Sequence, residues 1–361
     1  MQTYYPVYQD TIVNQLRAEL FDVLSVADVS FHQGREQAIA FTGHLLQDAE
    51  SAYTVLKRRF QRYGYTPLFK QEAQQDVVLA VPGVIQSTPS NWVINLGLLV
   101  LTIFSTLLFG ASMESGSQGL LGWLLAGLPY MLALLGILGV HELGHYFVAR
   151  WHKVDVTLPY FIPMPFGFGT MGAFIRMKTP IETRKALFDV GIAGPLAGFA
   201  LALPLLVIGL LQSPVLPVTG HGLLLGDSLL VRWLVDLLRS HPAGYDVFLG
   251  PVALAAWIGL LVTGFNLLPA GQLDGGHIVY AVLGRHARTV SLLTLGGLVG
   301  LGVLTGWSGW YVWAALIFAF GFRHPAPLND ITPIDGWRRV LALLAMALFV
   351  LLFTPQPFST F

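Results

Sequence analysis

From residue 92 onward the sequence is dominated by apolar stretches long enough to cross a lipid bilayer as helices. Crossing about 30 Å of hydrocarbon takes about 20 helical residues, with every backbone polar group satisfied internally. Seven such stretches are read, at about 92–112, 129–151, 185–211, 246–268, 288–305, 309–322 and 338–354. The sixth is short, and residues 306–309 before it could turn tightly. The run 119–128 is too short to cross and is read as lying at the interface or folding back. Composition leads the same way. Hydrophobic residues make up 54% of the 361 and charged residues 11%, against about 25% charged in soluble domains. A globule could not hide that apolar surplus, so it must face lipid. Formal net charge is zero, which leaves no basic footprint and no expectation of nucleic acid as a partner. There are no cysteines. That excludes disulfides, a CxxC metal site and a thiol nucleophile, so any metal must be held by nitrogen and oxygen.

Residues 1–88 are different. They carry seven of the 20 Lys and Arg residues and no long apolar run. Helical spacing is read at 10–21 and 48–63, and alternation typical of strands near 24–31, 37–46, 66–71 and 76–81. The expectation is a small α/β domain with an antiparallel sheet, its aromatic and Leu positions forming a core. Residues 81–91, with Pro82 and Pro89, read as a linker, and 89–361 as the membrane-embedded domain, with its core at about 120–290. The opening MQTYYPVYQD lacks the basic start and apolar h-region of a secretory leader. The fold class expected is mainly α: a bundle of six to seven membrane helices with a small α/β domain at the N-terminus.

Orientation follows from Lys and Arg placement. Arg150, Lys153, Arg176, Lys178, Arg184, Lys185, Arg285, Arg288, Arg323, Arg338 and Arg339 fall on one side, and only Arg232 and Arg239 on the other. That bias puts the N-terminal domain in the cytoplasm of a cell that carries the chain as a multi-pass protein of its membrane. Residues 227–239 read as an amphipathic helix on the outer surface. The stretch 157–180 is apolar, yet Pro159, Pro163 and Pro165 with Gly167, Gly169 and Gly172 argue against a helix. Irregular backbone at membrane depth must be covered by protein or line a water cavity, so a re-entrant loop or hairpin is expected there.

The second span contains His141-Glu142-Leu143-Gly144-His145. Residues four apart share a helix face, so both imidazoles can grip one Zn²⁺, and Glu142 is placed as a general base. Such residues inside an apolar span are costly to desolvate and mark function. A third ligand is needed, and Asp274 is the only acid between Asp246 and Asp330. Gly275 and Gly276 after it allow close backbone approach. Alternatives stay open at this point. Asp274 could cap a helix starting near 276, and His277 could compete as a ligand or serve only at the interface. Asn266 could merely satisfy backbone groups. Intramembrane His and Glu also mark ion paths, so a transporter or channel is the alternative class, although no repeat is evident.

HELGH in one apolar helix and N-x-x-P-x-x-x-x-D-G at 266–275 resemble the site-2 protease family of intramembrane metalloproteases. FIPMPFGFGTMGAF, GIAGPLAG at 191–198 and NLLPAGQLDGG are similar to its cyanobacterial and plastid-type branch. The resemblance covers about residues 90–325. It implies His141, His145 and Asp274 as ligands of one Zn²⁺ per chain and Glu142 as catalytic base. It also implies that Asn266 orients substrate or stabilises the oxyanion. The family's embedded β-loop maps to about 168–177, giving Gly172, Ala173 and Phe174 as substrate-strand positions. The implied partners are the bilayer and a transmembrane protein substrate. Residues 213–245 are too few for a PDZ-like insert. A proteolytically dead scaffold of the same fold is a further alternative, disfavoured because each expected catalytic residue type is present.

Overall fold

The computed structural model describes residues 7–32, 38–113, 119–218 and 223–360. The start MQTYYP and the first residue of the strand expected at 37–46 lie outside the described residues. The chain divides into two compact units.

The first unit holds the residues up to Thr88 together with Thr179–Leu187 and Pro325–Asp335. Its elements are α1 (Val7–Ala18), β1 (Leu24–His32), β2 (Ala38–Leu45), α2 (Ala49–Gln61), β3 (Tyr65–Glu72) and β4 (Gln75–Pro82). The sheet is antiparallel in the order β1-β2-β4-β3. Asp48 starts α2 by accepting hydrogen bonds from the Glu50 and Ser51 amides at 3.1 and 3.0 Å, the usual role of an N-cap carboxylate. The stripe Ala52, Tyr53, Leu56 and Phe60 is buried, as helical spacing requires of a face turned to a sheet. Burial of Phe41, Phe60 and Phe69 contributes about 1.5–3 kcal/mol each. Ala73 and Gln74, with φ of 47° and 67°, make the two-residue turn from β3 to β4; positive φ at both centres matches the right-handed twist of a hairpin. α1 begins and ends three residues earlier than the spacing predicts, and the chain leaves it through turns in which the Leu20 amide donates to Arg17 O at 3.1 Å and the Val23 amide to Leu20 O at 2.9 Å.

The two later segments finish this sheet. The Phe69 amide donates to Leu328 O at 2.7 Å, and the Asp330 amide donates to Phe69 O at 3.1 Å. Leu328 and Asn329 in turn donate to Ile181 O and Glu182 O at 3.1 and 2.7 Å. The Asn329 side chain donates to Ala49 O at 2.8 Å. Ion pairs Arg184–Asp330, Lys185–Glu50 and Lys57–Glu182 fix the segments laterally. An edge strand left bare is a template for wrong pairing, and here β3 is covered.

The second unit runs through α3 (Trp92–Ser112), α4 (Gly119–Ala126), α5 (Leu128–Trp151), β5 (Tyr160–Pro163), β6 (Thr170–Phe174), α6 (Arg184–Gln212), β7 (Val215–Pro217), β8 (Leu223–Leu225), α7 (Leu229–Leu238), β9 (Tyr245–Val247), α8 (Pro251–Asn266), α9 (Asp274–Leu283), α10 (Ala287–Thr305), α11 (Gly309–Gly321), α12 (Gly336–Leu352) and β10 (Phe358–Thr360). Among the described residues, four helical stretches are long and apolar enough to cross a membrane: Trp92–Ser112, Gly119–Trp151, Arg184–Gln212 and Asp274–Thr305. The other three spans expected from the sequence are helices, but of 16, 13 and 17 residues. At about 1.5 Å per residue these fall short of the hydrocarbon thickness. Pro251 starts α8 late, and Gly321, at φ 102°, ends α11. Small residues let the helices approach, as packing within lipid demands. A methyl group on Gly259 would lie 2.7 Å from Ile137 Cγ2, and one on Gly209 would lie 2.4 Å from the Ala253 amide.

The irregular stretch after α5 is a hairpin. β5 pairs antiparallel with β6, Tyr160 facing Phe174, Phe161 facing Ala173 and Ile162 facing Gly172. It therefore starts eight residues before the segment 168–177 mapped by resemblance. Pro159 and Pro163 hid β5, since proline donates nothing to a ladder. The helix expected at 227–239 is α7, capped by Ser228, whose hydroxyl accepts from the Val231 amide at 3.3 Å.

Candidate metal centre

α5 is helical through HELGH and buries His141, Glu142 and His145. One turn apart, the two imidazoles bring their Nε2 atoms to 3.2 Å. Asp274 opens α9. The residue in the cap position is Leu273, and no side chain caps this helix, so Asp274 is free of the capping role considered above. Its Oδ2 lies 3.3 Å from His141 Nε2 and 3.3 Å from His145 Nε2. The glycines after it explain how α9 can begin so close to the end of α8. A methyl group on Gly275 would sit 2.1 Å from Leu267 O, and one on Gly276 would sit 2.3 Å from Gly271 O.

α6 closes the other side. A methyl group on Gly194 would lie 2.1 Å from His145 Nε2, and one on Gly198 would lie 3.0 Å from His141 Nδ1. The GIAGPLAG run thus supplies the space that the two imidazole rings occupy, packed edge to face with centroids 5.0 Å apart. His145 Nδ1 donates to Val190 O at 2.7 Å, which leaves the lone pair on Nε2, the tautomer a metal ligand requires.

The residues fit a metal ion. Asp274 Oδ2 is buried without a hydrogen-bond donor, a costly state unless a cation meets it. His141, His145 and Asp274 form the only such ligand group among the described residues. A tetrahedral zinc with bonds of about 2.0–2.1 Å holds its ligand atoms about 3.3 Å apart, and the triangle here has edges of 3.2, 3.3 and 3.3 Å. With nitrogen and carboxylate donors and no thiolate, the set suits zinc, and three ligands leave one position open.

Around the triangle, the Asn266 side-chain amide donates to His141 Nε2 at 3.3 Å. The Glu142 carboxylate lies near the backbone of Ile175, the residue after β6. Gly172, Ala173 and Phe174 lie on β6. Gly172 has φ of 110°, and Phe174 stacks on Tyr160 with ring centroids 5.4 Å apart. His277 does not join the triangle. Its Nδ1 meets His324 Nε2 at 2.5 Å, and His324 stacks on Tyr280.

Sequence reasoning missed the residues that hold the hairpin. The Asn95 amide donates to Leu158 O and Pro159 O at 2.7 and 3.1 Å. Ser105 donates to Gly169 O at 2.6 Å, and Tyr130 donates to Phe168 O at 2.9 Å. The signal was present: Asn95 is a polar residue in an apolar span, which is rarely idle. Asn95→Leu would strip both carbonyls of their donor, at about 1 kcal/mol per bond. Amides of Tyr160–Phe174 are then expected to exchange with solvent about tenfold faster, zinc content being unchanged, as mass spectrometry of exchanged protein and metal analysis would read.

An HExxH helix and a later carboxylate meeting at one point among apolar helices define the class: membrane-helix proteins built round a metallopeptidase-type centre. The chain belongs to peptidase family M50, the site-2 protease family, whose model matches residues 129–304. It is 37% identical over 238 residues to the probable zinc metalloprotease EGY2, chloroplastic, of Arabidopsis thaliana, covering 64% of this chain and 42% of that protein. It is 34% identical over 299 residues to the probable zinc metalloprotease EGY1, chloroplastic, of Oryza sativa subsp. japonica, covering 73% and 50%. Identity to the probable zinc metalloprotease EGY2, chloroplastic, of Oryza sativa subsp. indica is 31% over 363 residues, covering 94% and 65%. The chain spans about half the length of the curated relatives it matches. No solved structure matches it.

Proposed function

We propose that this chain is a zinc metalloendopeptidase that hydrolyses peptide bonds of transmembrane proteins within the bilayer. The observation that carries the reading is the triangle of His141, His145 and Asp274 lone pairs with Glu142 on the same helix. These three residues would hold one zinc per chain, which when bound supplies Lewis-acid polarisation and an acidified water. Glu142 takes a proton from water and later hands it to the leaving amine, so that water is added across the peptide bond. Once a cation occupies His141 Nε2, the Asn266 amide is free to donate to the oxygen that gains charge. Gly172, Ala173 and Phe174 would receive the substrate as an added strand, since β6 has β5 on one edge and no strand on the other among the described residues. A substrate helix must unwind first to offer its backbone.

The same reading covers placement. Counting the shorter α8, α11 and α12, the membrane domain (89–361, core about 120–290) crosses six to seven times. The basic segments, and with them residues 1–88, face the cytoplasm of a cell membrane. The EGY relatives are named as chloroplastic, which makes the membrane that houses this chain a question for fractionation.

The test is cleavage of a synthetic transmembrane peptide by the purified chain in detergent. One zinc per chain is expected, with activity lost on chelation and restored by added zinc. A chain holding its zinc that cuts no such peptide would end the proposal.

A further inference from the structure

The second unit contains a cavity of about 420 Å³, within the range of sites that take ligands. None of the residues of the metal centre lines it. Its walls are apolar, with Phe109 of α3, Phe168 from the hairpin loop, Val231 of α7 and Trp257 of α8. The Trp257 ring is pinned by donation to Gly226 O at 3.1 Å. The lining carries two charged residues, Asp227 and Asp246, both acidic and both exposed to solvent. Asp227 makes no ion pair among the described residues. Partial desolvation against the apolar wall and the nearby Asp246 hold its carboxyl above the ordinary carboxylate range, and Arg232 offsets this only in part. Two carboxylates against an apolar wall, with no base lining it, complement an apolar group that carries a positive charge.

Phe168 ties the cavity to the hairpin. It lies two residues before β6, and its carbonyl is held by the Tyr130 hydroxyl. A peptide paired along β6 and centred on Glu142 at Ile175 would reach Phe168 about seven residues away, at about 3.3 Å per residue.

We infer that this cavity docks the flank of the peptide substrate, an apolar segment bearing one lysine or arginine about five to eight residues from the bond cut. The inference rests on the protease reading and names a substrate feature for it. It makes the enzyme selective for spanning segments with a cation at the end that the α7 side receives. Such residues are uncommon on the non-cytoplasmic flank of a span, so the preference would narrow the set of proteins cut.

The experiment uses full-length Glu142→Gln protein in detergent micelles and fluorescent transmembrane peptides, read by anisotropy. Each peptide carries a single Lys, Gln or Glu, scanned four to ten residues to either side of its centre. The Lys peptide should bind about fivefold to tenfold more tightly than the Glu peptide, at positions on one side only. Asp227→Asn should flatten that difference, and Asp227→Lys should invert it, in protein whose zinc content matches the parent. Equal binding of all three peptides at every position would overturn the inference. So would an unchanged order in zinc-replete Asp227→Lys protein. Because binding is read without turnover, failure of the wild-type chain to cut any peptide would sink the protease reading alone.

Discussion

Glu142→Gln protein is expected to cut a transmembrane test peptide about a thousandfold more slowly than the wild type while keeping its zinc. The side chains have the same size and shape, so Gln fills the buried position of Glu142 beside Ile175. What Gln lacks is a proton site. A positioned general acid–base contributes about 10²–10⁴ in rate, and here one carboxylate serves both proton transfers, so the loss should fall in that interval. Glu142 is not one of the converging ligand group, so metal analysis should give the wild-type stoichiometry. Single-turnover cleavage alongside that analysis makes the comparison. Cleavage within a fewfold of wild type would place the base elsewhere.

Gly194→Ala should act on the metal itself. The added methyl would lie 2.1 Å from His145 Nε2, well inside any tolerable contact, so either the ring or α6 must move. α6 has little room to yield, because it already packs closely on α5: a methyl group on Gly144 would lie 2.7 Å from Ala193 O. The imidazole is therefore displaced from the triangle. Disturbing the support of a ligand typically costs 10–100-fold in metal affinity, and a clash on the ligand atom should reach about 100-fold. Zinc titration against a fluorescent chelator would read it, with helical circular dichroism unchanged. Gly300→Ala on α10 is the control, since a methyl group there meets nothing within 4 Å and alanine favours a helix interior by about 1 kcal/mol. If Gly194→Ala retained wild-type zinc affinity, α6 would not be what seats the rings.

The parts of this molecule written in local pattern could be read from sequence. The sheet of the first unit follows from alternation, as in β2, where Phe41 and Gly43 are buried while Thr42 and His44 are not. HELGH gives its own geometry, because helical spacing alone puts His141 beside His145. Asp274 was legible for a different reason: it is the lone acid in a long apolar tract. Other parts depend on partners remote in sequence and left no local trace. Nothing near Asn329 announces that it will bond to Ala49 O, and His277 shows no sign of its partner His324. β5 was obscured because its flanking prolines mimic a loop. The length of α8 was overestimated because hydropathy continues past Pro251, where the helix starts. Gly194 and Gly198 entered only as part of a matching motif, GIAGPLAG, and their physical role appears only when the rings they face are located.

The first unit has a consequence for how the chain is made. β3 gains its last neighbour from Pro325–Asp335, which leaves the ribosome after nearly every apolar helix has been synthesised. At about 5–20 residues per second, that strand waits some tens of seconds with an uncovered edge. A chain clipped before residue 325 would carry β3 with an uncovered edge, open to pairing with another strand.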